Sequence, residues 1–80
     1  MANLYNDTLT AGNTEPITVS EDSAVGIYAD NDFTAYFVVD SIDKPVESFR
    51  GRTSIRLQCL GTTLKIKAGA SDVVLKVSQL

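Results

Sequence analysis

The chain has 80 residues, a net charge of −3, no histidine and a single cysteine. An internal disulfide is therefore excluded, the usual zinc ligand sets are missing, and the Ser-His-Asp and Cys-His arrangements of nucleophilic enzymes cannot be built. A chain this short buries only about 62% of the surface that it exposes when unfolded. We expect a thin core that association with other chains supplements.

The first segment has two interpretations. Residues 4–9 are either a short edge strand or, with the rest of residues 1–14, an extended arm that pairs with another subunit. On the second interpretation Leu4, Tyr5 and Leu9 contact a neighbouring subunit. In both cases we expect residues 1–80 to form a single domain.

The middle of the chain predicts a β-hairpin. Residues 25–29 and residues 33–39 are apolar strands, and a polar Asp-Asn-Asp turn joins them. In the second strand Tyr36 and Val38 make the face opposite the core apolar as well. A strand with one face in solvent should have polar residues there. The strand is therefore either covered on both faces by its own chain or offers Tyr36 and Val38 to a second subunit, and we favour the second explanation. Residues 40–45 contain a proline and are predicted as a loop.

Apolar residues recur at every second position between residues 53 and 78. The three runs contain Ile55, Leu57 and Cys59, then Leu64 and Ile66, then Val73, Leu75 and Val77. This is the period of half-buried strands, and glycine-containing turns separate the runs, so we predict a C-terminal three-stranded meander. No stretch keeps helical spacing. The predicted fold class is all-β, a small antiparallel sandwich or barrel-like fold of about six to eight short strands.

Acidic and basic residues separate along the chain. Residues 1–43 contain eight acids and no base, whereas residues 44–80 contain all seven bases and two acids. The bases could form a solvated strand face, or the acidic half of one copy could meet the basic half of the next. Nucleic acid is a third partner, but the net charge is negative and no aromatic residues alternate with the bases. We predict a basic face that binds an acidic partner surface, formed by Arg50, Arg52, Arg56, Lys65 and Lys67.

Candidates for catalysis are few. Asp30 with Asp32, and Asp40 with Asp43, are paired carboxylates that could act as acid and base, and the first pair could also offer oxygen ligands to calcium. Turn formation explains the first pair better, and the chain is too short to build much of a substrate cleft. Cys59 falls in step with apolar neighbours and is predicted to be buried. We predict no catalytic, cofactor-binding or metal-binding residue, and no enzyme.

Two stretches carry a resemblance to a known group of proteins. They are Glu15-Pro16-Ile17-Thr18-Val19-Ser20 and Gly61-Thr62-Thr63-Leu64-Lys65-Ile66-Lys67-Ala68-Gly69-Ala70-Ser71-Asp72-Val73-Val74-Leu75. With them the chain resembles the small all-β structural proteins of tailed bacteriophage virions. That group includes capsid decoration (cement) proteins, which commonly trimerise and sit over contacts between major capsid subunits. The resemblance implies a structural protein that self-associates as a trimer and binds a capsid surface.

Two alternatives stay open at this point. One is a monomeric β-sandwich module that recognises carbohydrate or peptide, and the other is a different phage component, such as a head-fibre base or tail protein. No apolar run reaches the roughly 18 residues that cross a bilayer, and the start lacks the basic and apolar segments of a signal peptide. We therefore expect a protein that is not secreted, and the resemblance implies a virion protein of the capsid surface that is made in the host cytoplasm. Its expected partners are copies of itself and a larger capsid protein, without nucleic acid, membrane or cofactor.

Overall fold

A computed structural model describes residues 2–80 of the chain. Alternating apolar and polar residues form eight strands, which are β1 (Ala2–Leu9), β2 (Thr14–Thr18), β3 (Ala24–Ala29), β4 (Phe33–Val39), β5 (Ile42–Phe49), β6 (Thr53–Gln58), β7 (Thr63–Ala68) and β8 (Val73–Gln79). None of the regular elements in this range is a helix that could span a bilayer.

The strands form two four-stranded antiparallel sheets whose neighbours are mostly distant in sequence. Sheet A has the order β1-β8-β3-β6, and sheet B has the order β2-β7-β4-β5. Only β4 and β5 are neighbours both along the chain and within a sheet, so every other connection crosses from one sheet to the other. This strand order is the jelly roll, a sandwich in which the strands wind as two Greek keys.

The predicted fold class is confirmed, but two predicted pairings are wrong. The C-terminal meander does not form, because β6 and β8 lie in sheet A on either side of β3 while β7 lies in sheet B. The hairpin predicted over residues 25–39 does not form either, because β3 and β4 lie in different sheets. Alternation looks the same whether a strand pairs with its sequence neighbour or crosses to the facing sheet. The pattern therefore identifies strands and not their partners.

The core lies between the two inward faces. Phe33 and Phe37 of β4 are its largest fully buried side chains, and β3, β7 and β8 contribute the aliphatic residues around them. At the sheet edge, the Phe49 ring stacks on Phe33 with centroids 5.0 Å apart. Cys59 is buried, as predicted. No buried side-chain nitrogen or oxygen in the described chain lacks a hydrogen-bond partner, which is what a well-formed small core requires.

The first strand belongs to the sandwich of its own chain. β1 is the edge strand of sheet A and pairs with β8 from Ala2 opposite Gln79 to Leu9 opposite Val73. Leu9 is buried, and Leu4 and Tyr5 pack against the same core. Of the two interpretations, the structure has the edge strand rather than a free arm. Leu9 is thus covered by its own chain and Leu4 and Tyr5 are half-buried, and a role of these three residues in subunit contact stays a prediction.

β5 is a strand where a loop was predicted. It forms the edge of sheet B and is exposed along nearly its whole length. The register shifts where Ala35 and Tyr36 meet β5, a bulge that includes Pro45. Edge strands and bulges are the places in a sheet that tolerate a residue without an N–H, so the proline does not end the strand. The turn before β5 has positive φ at Asp40 (53°) and Ser41 (63°), as in a two-residue type I′ hairpin.

Candidate interaction surfaces

The outward face of sheet B is a grid set by strand register. Its middle row contains Pro16, Lys65, Tyr36 and Pro45, and the row nearer the β4–β5 turn contains Thr18, Thr63, Val38 and Asp43. Tyr36 and Val38 are half-buried, covered at their sides by these cross-strand neighbours. β4 thus pairs with a strand on each side, but the rest of the chain covers only its inward face. The role of Tyr36 and Val38 in subunit contact stays a prediction.

A single ion pair crosses this grid. Lys65 Nζ lies 3.1 Å from Asp43 Oδ1, with the two side chains 33% and 52% exposed. Exposed pairs of this kind contribute about 0–1 kcal/mol. The pair also offsets the positive charge of Lys65. Lys67 is therefore the base on this face that has no carboxylate partner among the described residues.

The predicted basic face is divided between opposite sides of the molecule. Lys65 and Lys67 point outward from sheet B, whereas Arg56 points outward from sheet A. Arg50 and Arg52 lie in the connection between β5 and β6. The prediction of one basic face is wrong, because it placed β6 and β7 in the same sheet.

Gly26 leaves a gap in the outward face of sheet A. Its register neighbours are Arg56 on β6 and Ser78 on β8. The side chain of Leu80 lies across the gap, with Cδ2 3.5 Å from the place that a Cβ on Gly26 would occupy. The Leu80 side chain thus forms the apolar wall of a depression at Gly26.

Tyr28 extends the depression into an open groove. Its ring lies one row further along β3, with Lys76 Nζ 6.0 Å from the ring centroid, within the range of a cation–π contact. The groove has a volume of about 270 Å³, and Ser54 and Ser78 add hydroxyls to its lining. β3, β6 and β8 contain no acidic residue at all. We call the groove at Gly26, Tyr28, Lys76 and Leu80, together with Arg56 beside Gly26 on β6, the basic groove.

Carboxylates at one end of the sandwich tie its connections together. Three backbone N–H groups donate to them, from Val74 to Asp30 (2.8 Å), from Gly51 to Asp32 (2.6 Å) and from Ala11 to Asp72 (2.9 Å). Each bond joins segments that are far apart in sequence. Residues 2–80 contain no group of three or more side chains placed to hold a metal ion. At these positions the acids stabilise loop closure, as turn chemistry suggested.

The opposite end presents its acids to solvent. There the β2–β3 and β6–β7 connections bond to each other, through Val19 N to Thr62 O (2.9 Å) and Cys59 N to Ser23 O (2.8 Å). Glu21 and Asp22 of the first connection and Asp40 of the β4–β5 turn are exposed, and none of the three connections carries a base. We call Glu21, Asp22 and Asp40 the acidic end.

An apolar patch adjoins the acidic end. Ile42 is 58% exposed and pairs with the half-buried Val39. Leu60, 54% exposed, precedes Gly61, which packs so closely on β4 that an added Cβ would lie 2.8 Å from Val38 O. The β6–β7 turn therefore brings Leu60 to the end of β4. We call Val38, Val39, Ile42 and Leu60 the apolar corner.

Gln79 holds the acidic connection in place. Its Nε2 donates to Ala24 O (2.8 Å) and to Ser23 Oγ (2.6 Å), and its Oε1 accepts from Ser20 N (3.1 Å). Cys59 Sγ lies 3.8 Å from the same Ser23 hydroxyl. Since β8 is paired on both sides, these bonds attach the β2–β3 connection to the most constrained part of sheet A.

Tyr5 is an ionisable group whose surroundings shift its titration. Partial burial raises the pKa of the Tyr5 phenol above its usual value of 10.0, and the negative charges of Glu15 and Asp7 raise it further. The neutral phenol is therefore the form that the fold favours. This agrees with the position of Tyr5 against the core rather than at a reactive site.

Comparison with known proteins supports the fold. No family model and no curated protein matches the sequence. A similar solved structure is the solution NMR structure of a de novo designed double-stranded β-helix, with a TM-score of 0.65 and 12% sequence identity, covering 95% of this chain and 96% of that chain. At this identity the likeness shows the architecture alone. The double-stranded β-helix is the same winding that the strand order gives here.

Proposed function

We propose that the protein is a non-enzymatic structural protein that self-associates as a trimer and decorates the outer surface of a viral capsid. The observation that carries self-association is the apolar corner, where Ile42 and Leu60 are more than half exposed. Ile42 pairs with the half-buried Val39, and Gly61, the residue after Leu60, packs on Val38 and Val39 at the end of β4. Burying one exposed aliphatic side chain contributes about 1.5–3 kcal/mol, a large gain for so small a domain.

The capsid part of the proposal is supported by the resemblance of the sequence to small phage virion proteins. The jelly roll is compatible with it, because capsid domains are among the proteins that use this fold, although lectin domains use it as well. The outward face of sheet B around Lys65 and Lys67 is the surface we assign to the larger shell protein. Many copies bound to one shell would stabilise it through contacts that are individually weak.

Val38→Asp tests the proposal. A carboxylate at the border of the apolar corner must lose its hydration when copies meet, so we expect monomers or aggregates in light scattering in place of the oligomer. Thr14→Asp is the control, since Thr14 is exposed on the same sheet at the far end. Oligomers of unchanged mass in the Val38→Asp variant would contradict the assignment of this contact.

A monomeric binding module for carbohydrate or peptide is a second candidate. The observation in its favour is the basic groove, where an aromatic ring, two hydroxyls and a cation line one depression. On this hypothesis the protein stays monomeric at micromolar concentration, and Tyr28→Ala abolishes ligand binding without changing its mass.

A further inference from the structure

We infer that copies of this chain associate head to face, with the acidic end and apolar corner of one copy seated on the basic groove of the next. The inference rests on the proposed self-association and names the two surfaces that make it. The occupant of the groove is thus a second copy of the same chain.

Charge is the first argument. The basic groove carries Arg56 and Lys76 on a surface whose strands β3, β6 and β8 contain no acid. The acidic end carries three carboxylates on connections without a base. A symmetric contact between two acidic ends would place like charges together, whereas end against face places opposite charges together. Complementarity therefore selects a heterologous contact over an isologous one.

Shape is the second argument. Leu60 projects from the end of the molecule next to the acids, and the groove is a depression walled by Tyr28 and Leu80. At its floor, Leu80 Cδ2 lies 3.5 Å from the place that a Cβ on Gly26 would occupy, so the apolar wall of the groove lies close to β3. The groove has a volume of about 270 Å³, which accommodates one aliphatic side chain. Leu60 of one copy would enter the groove while the flanking carboxylates reach Arg56 and Lys76.

The edge strand nearest the apolar corner is poorly suited to a competing contact. β5 is the exposed edge nearest the apolar corner, but its bulge, Pro45, Lys44 and Glu47 discourage addition of another strand. A head-to-face contact instead leaves one end and one face unoccupied in every pair. Repetition then closes a ring, such as the proposed trimer, or continues as a filament.

The test uses two variants that each remove one surface. The face variant carries Arg56→Gln and Lys76→Gln, and the end variant carries Glu21→Gln, Asp22→Asn and Leu60→Ser. All five residues are exposed, so circular dichroism should match the wild type. We expect each variant alone to self-associate about tenfold or more weakly. The matched control, Lys65→Gln with Lys67→Gln on sheet B, should keep the wild-type mass.

Mixing the two variants gives the decisive result. The face variant retains its acidic end and the end variant retains its groove, so a 1:1 mixture should form a heterodimer that grows no further. Absence of a heterodimer, oligomers of wild-type mass in either variant alone, or dissociation caused by the sheet B control would overturn the head-to-face contact while self-association stands. A wild-type protein that is itself monomeric would overturn the proposed function as well as the inference.

Discussion

Gly61 shows how one residue positions a surface. It has a φ of +70°, and an added Cβ would lie 2.8 Å from Val38 O. Gly12 has nearly the same φ, +75°, with nothing within 4 Å of the added atom. The two glycines therefore share the backbone requirement and differ only in the close approach to β4.

Gly61→Ala and Gly12→Ala separate these effects. We expect Gly12→Ala to lower the free energy of unfolding by about 1 kcal/mol, the cost of a left-handed non-glycine residue. Gly61→Ala should cost about 1–3 kcal/mol more, because the β6–β7 turn must move away from β4. Urea denaturation measures both changes. Equal losses in the two variants would show that the turn does not pack on β4 as described.

Tyr5 predicts a pH dependence. Since burial and nearby carboxylates raise its pKa in the folded protein, the contribution of the neutral phenol to stability is complete below pH 10.0 and is lost as pH rises through the raised pKa. Tyr5→Phe should therefore lose less stability than the wild type between pH 8 and pH 11 in urea denaturation. An identical alkaline loss in both proteins would contradict this explanation.

At the scale of the strands, the sequence predicted which residues form strands better than it predicted which strands pair with each other. The runs containing Ile55, Leu64 and Leu75 became β6, β7 and β8, and residues 33–39 became β4. Their pairing could not be predicted, because a strand that crosses the sandwich has the same alternation as one that turns back. The first half of β5 was predicted as a loop because charged residues and Pro45 hide the alternation of an edge strand that buries almost nothing.

The candidate surfaces were predictable only in part. Val38 is apolar on an outward face, and that could be seen from the alternation of β4. The apolar corner also needs Ile42 and Leu60, which are 18 residues apart in the chain and both lie near the end of β4, Leu60 because Gly61 packs on that strand. Similarly, the basic groove exists because β3 lies between β6 and β8. These are consequences of topology, which local patterns do not contain.

For the whole molecule, the fold redistributes charge. The acidic first half and the basic second half do not become two halves in space, because each sheet takes strands from both. Some acids, such as Asp30 and Asp72, accept backbone hydrogen bonds that hold connections together. Glu21, Asp22 and Asp40 gather at one end, while Arg56 and Lys76 face outward from sheet A. Charge complementarity between copies therefore involves the acidic end of one copy and the basic groove of the next, and not the two halves of the sequence.

Sedimentation equilibrium of the unmodified protein over a range of micromolar concentrations tests the central claim most directly. Self-association through the apolar corner predicts a mass well above that of the 8.6 kDa chain, near three times that value for a closed ring. Because the contact includes exposed opposite charges, the mass should fall as salt shortens the screening length. A single 8.6 kDa species at all concentrations would contradict the account.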